Sequence, residues 1–111
     1  MVVVIFEVWL KPSEAQRYFD LAAALKAELR EVEGFIAVER FQSLVEPNKY
    51  VSLSTWRDSK AVEDWYAVAK HKAAQVEGRA SIFDDYRIRV ADVFRDYDMA
   101  LGREAVLART P

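Results

Sequence analysis

VVVIFEVWL, Val2 to Leu10, is the run from which the architecture follows. Read with a period of two, one side carries Val2, Val4, Phe6, Val8 and Leu10. The other carries Val3, Ile5, Glu7 and Trp9, and only Glu7 breaks the apolar character. A β-branched and aromatic run of this kind reads as a strand covered on both faces. One layer of helices covers one face of a small sheet. The other face then needs a second cover, most simply the same sheet of another copy. The strand therefore predicts a homodimer.

The segments that follow supply the rest of a sandwich. Ser13 and Gln16 have the spacing of a capping box and open a first helix. Its apolar face is Tyr18, Leu21, Ala22, Leu25 and Leu29, and it runs to near Val32, with Glu33-Gly34 as the stop. Phe35 to Leu44 is the second strand. Alternation puts Phe35, Ala37, Glu39, Phe41 and Ser43 on one face, and Ile36, Val38, Arg40, Gln42 and Leu44 on the other. Glu46-Pro47-Asn48-Lys49 has the residues of a hairpin turn, and Tyr50 to Trp56 is the third strand. Asp58 or Ser59 caps a second helix that extends to about Gly78. Asp85 to Tyr97 is the last strand, and its apolar parity slips after Asp92, which predicts a bulge near Ala91-Asp92. Residues 98–111 read as a tail outside a 1–97 domain, weakly helical around 103–109 and available to pack on a partner subunit. The order βαββαβ predicts an α+β, ferredoxin-like sandwich in one domain.

Composition narrows the chemistry. The chain has 111 residues, 52% apolar and 31% charged, with a net charge of −2. That length buries about 65% of the unfolded surface, enough for one core. A mildly acidic chain is a poor partner for a phosphate backbone, and the third strand lacks the glycine of an RNA-recognition motif, so no nucleic acid is expected. There is no cysteine, which excludes disulfides, thiolate catalysis and zinc–thiolate or iron–sulfur sites. With one histidine, a transition-metal site is not expected. Asp84, Asp85, Asp92, Asp96 and Asp98 beside Arg87, Arg89 and Arg95 read as a solvated face. No run approaches the ~20 apolar residues of a membrane span, and the N-terminus lacks the features of a signal peptide. A cytoplasmic protein is the expectation.

The second helix carries Trp65 and His71, the one histidine. Trp65 lies on the stripe Val62, Trp65, Ala69, Val76 and reads first as core. His71, between Lys70 and Lys72, reads first as a wet surface residue. At ~100° per residue the six-residue interval sets Trp65 and His71 about 120° apart around a straight helix.

Whole segments carry a more specific signal: VEGFIAVERFQSLVEPNKYVSLSTWRDSKAVEDWY at 32–66, KHKAAQVEGRASIF at 70–83 and DYRIRVADVFRDY at 85–97. E-G-F before the second strand, S-x-W-R-D into the second helix, and W-x5-H followed by AAQ-x2-GR resemble the antibiotic biosynthesis monooxygenase family of dimeric α/β-barrel proteins. The resemblance runs from Val2 to about Tyr97. It implies a sheet paired with a second sheet into a barrel, and a pocket between helices and sheet in each monomer.

Some members of that family are cofactor-free oxygenases of phenolic, anthrone or quinol compounds; others bind haem and break it oxidatively. Without a cofactor, an electron-rich phenol that loses a proton can pass an electron to dioxygen. The protein then supplies a dry aromatic pocket, a base and a group that holds the oxygenated anion. Trp65, Trp9, Phe41 and Phe83 are the candidate walls. His71 is the candidate base by intrinsic pKa, and Glu7 the second, since burial in an apolar strand would raise its pKa. Glu7 has a structural alternative, an ion pair with Arg40 or Arg89. The haem alternative would use His71 as proximal ligand with Trp65 nearby. It departs from the haem-degrading pattern in lacking an asparagine on the first strand, where Glu7 stands, and in its shorter tryptophan-to-histidine interval. A non-catalytic ligand-binding dimer is the third reading. The expected substrates are a small aromatic molecule and dioxygen.

Overall fold

The computed structural model describes residues 1–75 and 83–102, with the side chains of 70–75 excepted. The elements are β1 (Val2–Leu10), a 3-10 turn (Pro12–Glu14), α1 (Ala15–Leu29), β2 (Phe35–Gln42), β3 (Lys49–Trp56), α2 (Ser59–Gln75) and β4 (Phe83–Asp92). The four strands form one antiparallel sheet in the order β2-β3-β1-β4. This is the expected ferredoxin-like α+β arrangement, with β1 in the interior of the sheet.

The core lies on the helix side of the sheet. Val2, Leu29, Trp56, Ala61 and Val62 form one buried cluster, against which Val4, Phe35, Val38 and Trp65 pack. Val8, Leu10 and Tyr18 form a second, with Phe6, Phe19, Tyr50 and Phe83 against it. The even side of β1 thus enters both clusters. Its odd side faces away from the helices, and nothing among the described residues buries it: Val3, Ile5, Glu7 and Trp9 are all partly exposed. On neighbouring strands of that face Leu53 is 37% and Phe41 46% exposed.

Several local expectations are corrected. Pro12 starts a short 3-10 turn, and α1 follows from Ala15 without a side-chain cap. Pro12 favours such a tight start because its ring presets φ and it has no N–H to satisfy. Gln16 donates instead to Asp20 one turn on (3.0 Å). α1 ends at Leu29, and the chain turns through Gly34 at φ +92°. β2 starts with a register shift between Phe35 and Ala37. Phe35 therefore pairs with Trp56 on the helix side, their rings 5.3 Å apart, and leaves the face that strict alternation assigned it. β2 ends at Gln42, two residues short of the expected strand. The bulge expected near Ala91-Asp92 is at the opposite end of β4, where register shifts between Trp9 and Leu10 of β1; pairing runs unbroken through Val2–Asp92.

Other expectations stand. The Glu46–Lys49 turn closes with Lys49 N donating to the Glu46 carbonyl (3.0 Å). Asp58 caps α2 by accepting from Ala61 N (3.0 Å). Asp98 holds a terminal turn by accepting from the amide of Leu101 (2.9 Å). The Gly78 stop and the helical character at 103–109 lie outside the described residues.

Candidate functional site

A cavity of about 390 Å³ lies between the sheet and both helices. Its floor follows from register. Arg40 of β2 pairs with Ser52 of β3, Ser52 with Phe6 of β1, and Phe6 with Ile88 of β4. All four side chains line the cavity. The adjacent row, Val38, Ser54 and Val4, lines it as well. Strand alternation places these residues on one face because register steps by two.

The walls come from helix periodicity. Tyr18, Ala22, Leu25 and Leu29 of α1 recur at three- and four-residue intervals and face the sheet. α2 contributes Trp65, Tyr66 and Ala69. Phe83 sits at the start of β4, with Phe6 and Tyr18 against it at centroid distances of 6.1 and 5.9 Å. Near-perpendicular rings of this kind are a favourable aromatic packing.

Polar groups are few and unevenly placed. Ser54 Oγ accepts from Trp56 Nε1 (2.8 Å) in the buried floor. Arg40 is the one charged side chain among the described lining residues, and no carboxylate stands among them. Arg40 Nε is buried and donates to no acceptor among the described residues. The cavity is therefore polar at its β2–β3 side and aromatic and aliphatic at its β1–β4 side.

Of the residues singled out in the sequence, Trp65 and Phe83 both line this cavity. His71 stands on α2, but its side chain lies outside the described residues. Glu7, Trp9 and Phe41 are on the other face of the sheet and do not line the cavity. Their parity is the cause: each is one residue out of phase with Phe6 or Arg40. Glu7 accepts from Arg89 (2.7 Å) and lies 3.6 Å from Lys49. Burial pushes its carboxyl up, but the hydrogen bond from Arg89 and the charges of Lys49 and Arg89 outweigh it and hold the pKa below the ordinary carboxylate value. The expected upward shift is thus reversed, and Arg40 is not the partner. Lys49 also stands over the Trp9 ring, 4.9 Å from its centroid.

Sequence reasoning missed Arg40, Ser52, Ser54, Tyr18 and Tyr66 as lining residues. Arg40 had a detectable signal, a charge at the parity of Val38 on a strand whose other parity is exposed. Tyr66 had none, since it falls beside the apolar stripe of α2. Among the described residues there is no cluster of three His, Cys, Asp or Glu placed to hold a metal ion, and no helix long and apolar enough to cross a membrane.

Comparison with known proteins adds to this geometry. The family model described as antibiotic biosynthesis monooxygenase matches residues 1–77. A curated relative, the jasmonate monooxygenase ABM of Pyricularia oryzae, is 41% identical over 93 residues. That match covers 84% of this chain, but the chain spans only 43% of the relative's length. A solved antibiotic biosynthesis monooxygenase superposes with a TM-score of 0.69 at 21% identity, covering 84% of this chain and 98% of the other. A protein from Mycobacterium tuberculosis gives 0.73 at 13% identity, covering 87% and 98%. A conserved protein from Methanosarcina mazei gives 0.71 at 21% identity, covering 81% and 89%. These structural likenesses concern the fold.

Proposed function

The chain belongs to the antibiotic biosynthesis monooxygenase family, and we propose that it is a small monooxygenase that oxidises an aromatic or quinol-type compound without a bound cofactor, as a homodimer. The observation that carries this reading is the largely apolar cavity walled by Trp65 and Phe83, with a single cationic group and no carboxylate among its described lining. In such a medium a phenolate or enolate is reactive, and a positive group opposite it offsets the cost of forming it. For a substrate with a reactive ring CH2, proton loss gives the carbanion–enolate, which reduces dioxygen. The carbon then gains one oxygen atom as a carbonyl and the second leaves as water, so the substrate supplies all the electrons. In this scheme Trp65 and Phe83 exclude water and hold the ring. His71 is the base, by virtue of its intrinsic pKa and its place on α2.

The haem alternative has less support in the cavity. The described lining offers no imidazole, thiolate or thioether to an iron, so a proximal ligand would rest on His71 alone. A second substrate class has a specific observation in its favour. Arg40 suits an acid anion, and the Pyricularia oryzae relative is named for jasmonate.

The test is oxygen uptake by the purified chain with an anthrone or a hydroquinone. Uptake with one dioxygen consumed per product is expected, and His71→Ala should lower the rate roughly 10²–10⁴-fold if it removes a general base. An unchanged rate removes His71 from the mechanism. A Soret band at one haem per chain, lost in His71→Ala, would replace this reading with the haem one. No uptake and no haem binding would leave a ligand-binding dimer.

A further inference from the structure

We infer that the cavity selects a substrate bearing an oxyanion, and that the Arg40 guanidinium, with the Ser52 hydroxyl beside it, is the group that reads it. The inference rests on taking this cavity as the substrate site, and it adds the polarity and orientation of what enters.

Arg40 lines the cavity, is only partly exposed, and its Nε is buried without an acceptor among the described residues. A guanidinium drawn from water and left with an unused donor is costly, and native interiors seldom keep one without cause. The other arginines for which ion pairs are resolved, Arg17, Arg57 and Arg89, meet carboxylates at 2.7 to 3.4 Å. Arg40 faces no carboxylate among the described lining residues. Its planar fork matches a carboxylate or phenolate oxygen and forms a charge-assisted bond stronger than a neutral pair would.

Register supplies the orientation. Arg40, Ser52, Phe6 and Ile88 form one row across the sheet, polar at one end and apolar at the other. Strands are ~4.8 Å apart, so three intervals span roughly 14 Å from Arg40 to Ile88. A substrate with its anionic group on Arg40 and Ser52 would lay an apolar body over Phe6 toward Phe83. A carboxylate and an ionised phenol or enolate share this chemistry, and binding measurements separate them.

Isothermal titration calorimetry of the full chain with 2-naphthoate and with its neutral isostere 2-naphthamide at pH 7 is the first arm. Naphthoate should bind roughly 10-fold tighter, and in Arg40→Met the two should bind within about twofold of each other, since the apolar contacts are kept. The second arm is 2-naphthol below and above its pKa. Tighter binding of the ionised form, dependent on Arg40, identifies a phenolate as the anion read. Equal affinity of the wild-type chain for the acid, the amide, the naphthol and the naphtholate overturns the inference. So does an anion preference that survives in Arg40→Met. The wild-type comparison stands even if Arg40→Met fails to fold, which its circular dichroism melt would reveal, and Arg40→Gln then takes its place. Binding is read without turnover. Oxyanion preference without oxygen uptake keeps this inference and ends the oxygenase reading; uptake without preference does the reverse.

Discussion

At the scale of the residue, one step of parity separates two charges with different surroundings. Glu7 and Phe6 are neighbours in β1, yet Phe6 lines the cavity and Glu7 meets Arg89 and Lys49 on the opposite face. Glu7 is paired, so its carboxyl is held below the ordinary value. Arg40, at the inward parity of β2, has no such carboxylate among the described residues. The depressed folded pKa of Glu7 fixes the sign of its pH dependence. Its stabilisation is fully present above the unfolded pKa, near the ordinary carboxylate range, and is lost as pH falls through the lower folded value. Glu7→Gln should therefore lower the melting temperature at pH 7, and the gap to wild type should be smaller at a pH below the ordinary carboxylate range. Melts by circular dichroism at both pH values check this. A gap that widens toward acid would mean that the carboxyl is destabilising when charged. The sequence offered Arg89 as a possible partner for Glu7, but not the choice between Arg89 and Arg40, because that depends on which strand lies beside β1.

Among the elements, the turn between α1 and β2 sets how closely α2 approaches the sheet. Gly34 has φ +92°, and a Cβ there would lie 2.7 Å from the Ala61 Cβ of α2. Its carbonyl accepts from Arg57 N at 2.7 Å, tying the turn to the start of α2. Both the backbone conformation and the contact call for glycine at this position. Gly34→Ala should cost roughly 1–3 kcal/mol, read as a lower urea midpoint with an unchanged slope. A midpoint equal to wild type would show that α2 has room to move. E-G-F was legible as a stop signal before a strand. The contact with Ala61 was not, since 27 residues of sequence separate the two positions.

Across the whole molecule, the unburied face of the sheet is what a homodimer would explain. Ile5 and Leu53 are paired across β1 and β3 on that face, and Leu53 is 37% exposed. Apolar side chains in the middle of a sheet ordinarily have a cover, and burial of such a patch is worth about 25 cal/mol per Å². Sedimentation equilibrium is expected to give twice the chain mass. Leu53→Glu should shift the chain toward monomer while far-UV circular dichroism keeps its shape. A wild-type monomer at micromolar concentration would end the homodimer proposal and leave that face as ordinary surface.

The βαββαβ order and the two apolar faces of the first strand were legible along the chain. Each is a matter of local periodicity: two for strands, three and four for helices. Where the cavity's charge would lie was not legible. Arg40 gains its meaning from Ser52 across the β2–β3 hairpin and from Phe6, which joins that row through the pairing of β1 with β3, strands distant in sequence. The register shifts between Phe35 and Ala37 and between Trp9 and Leu10 likewise depend on how neighbouring strands pair. Periodicity assigns a side chain to a face. Which other side chains meet it there is set by long-range register and packing, and those exist only once the chain has closed on itself.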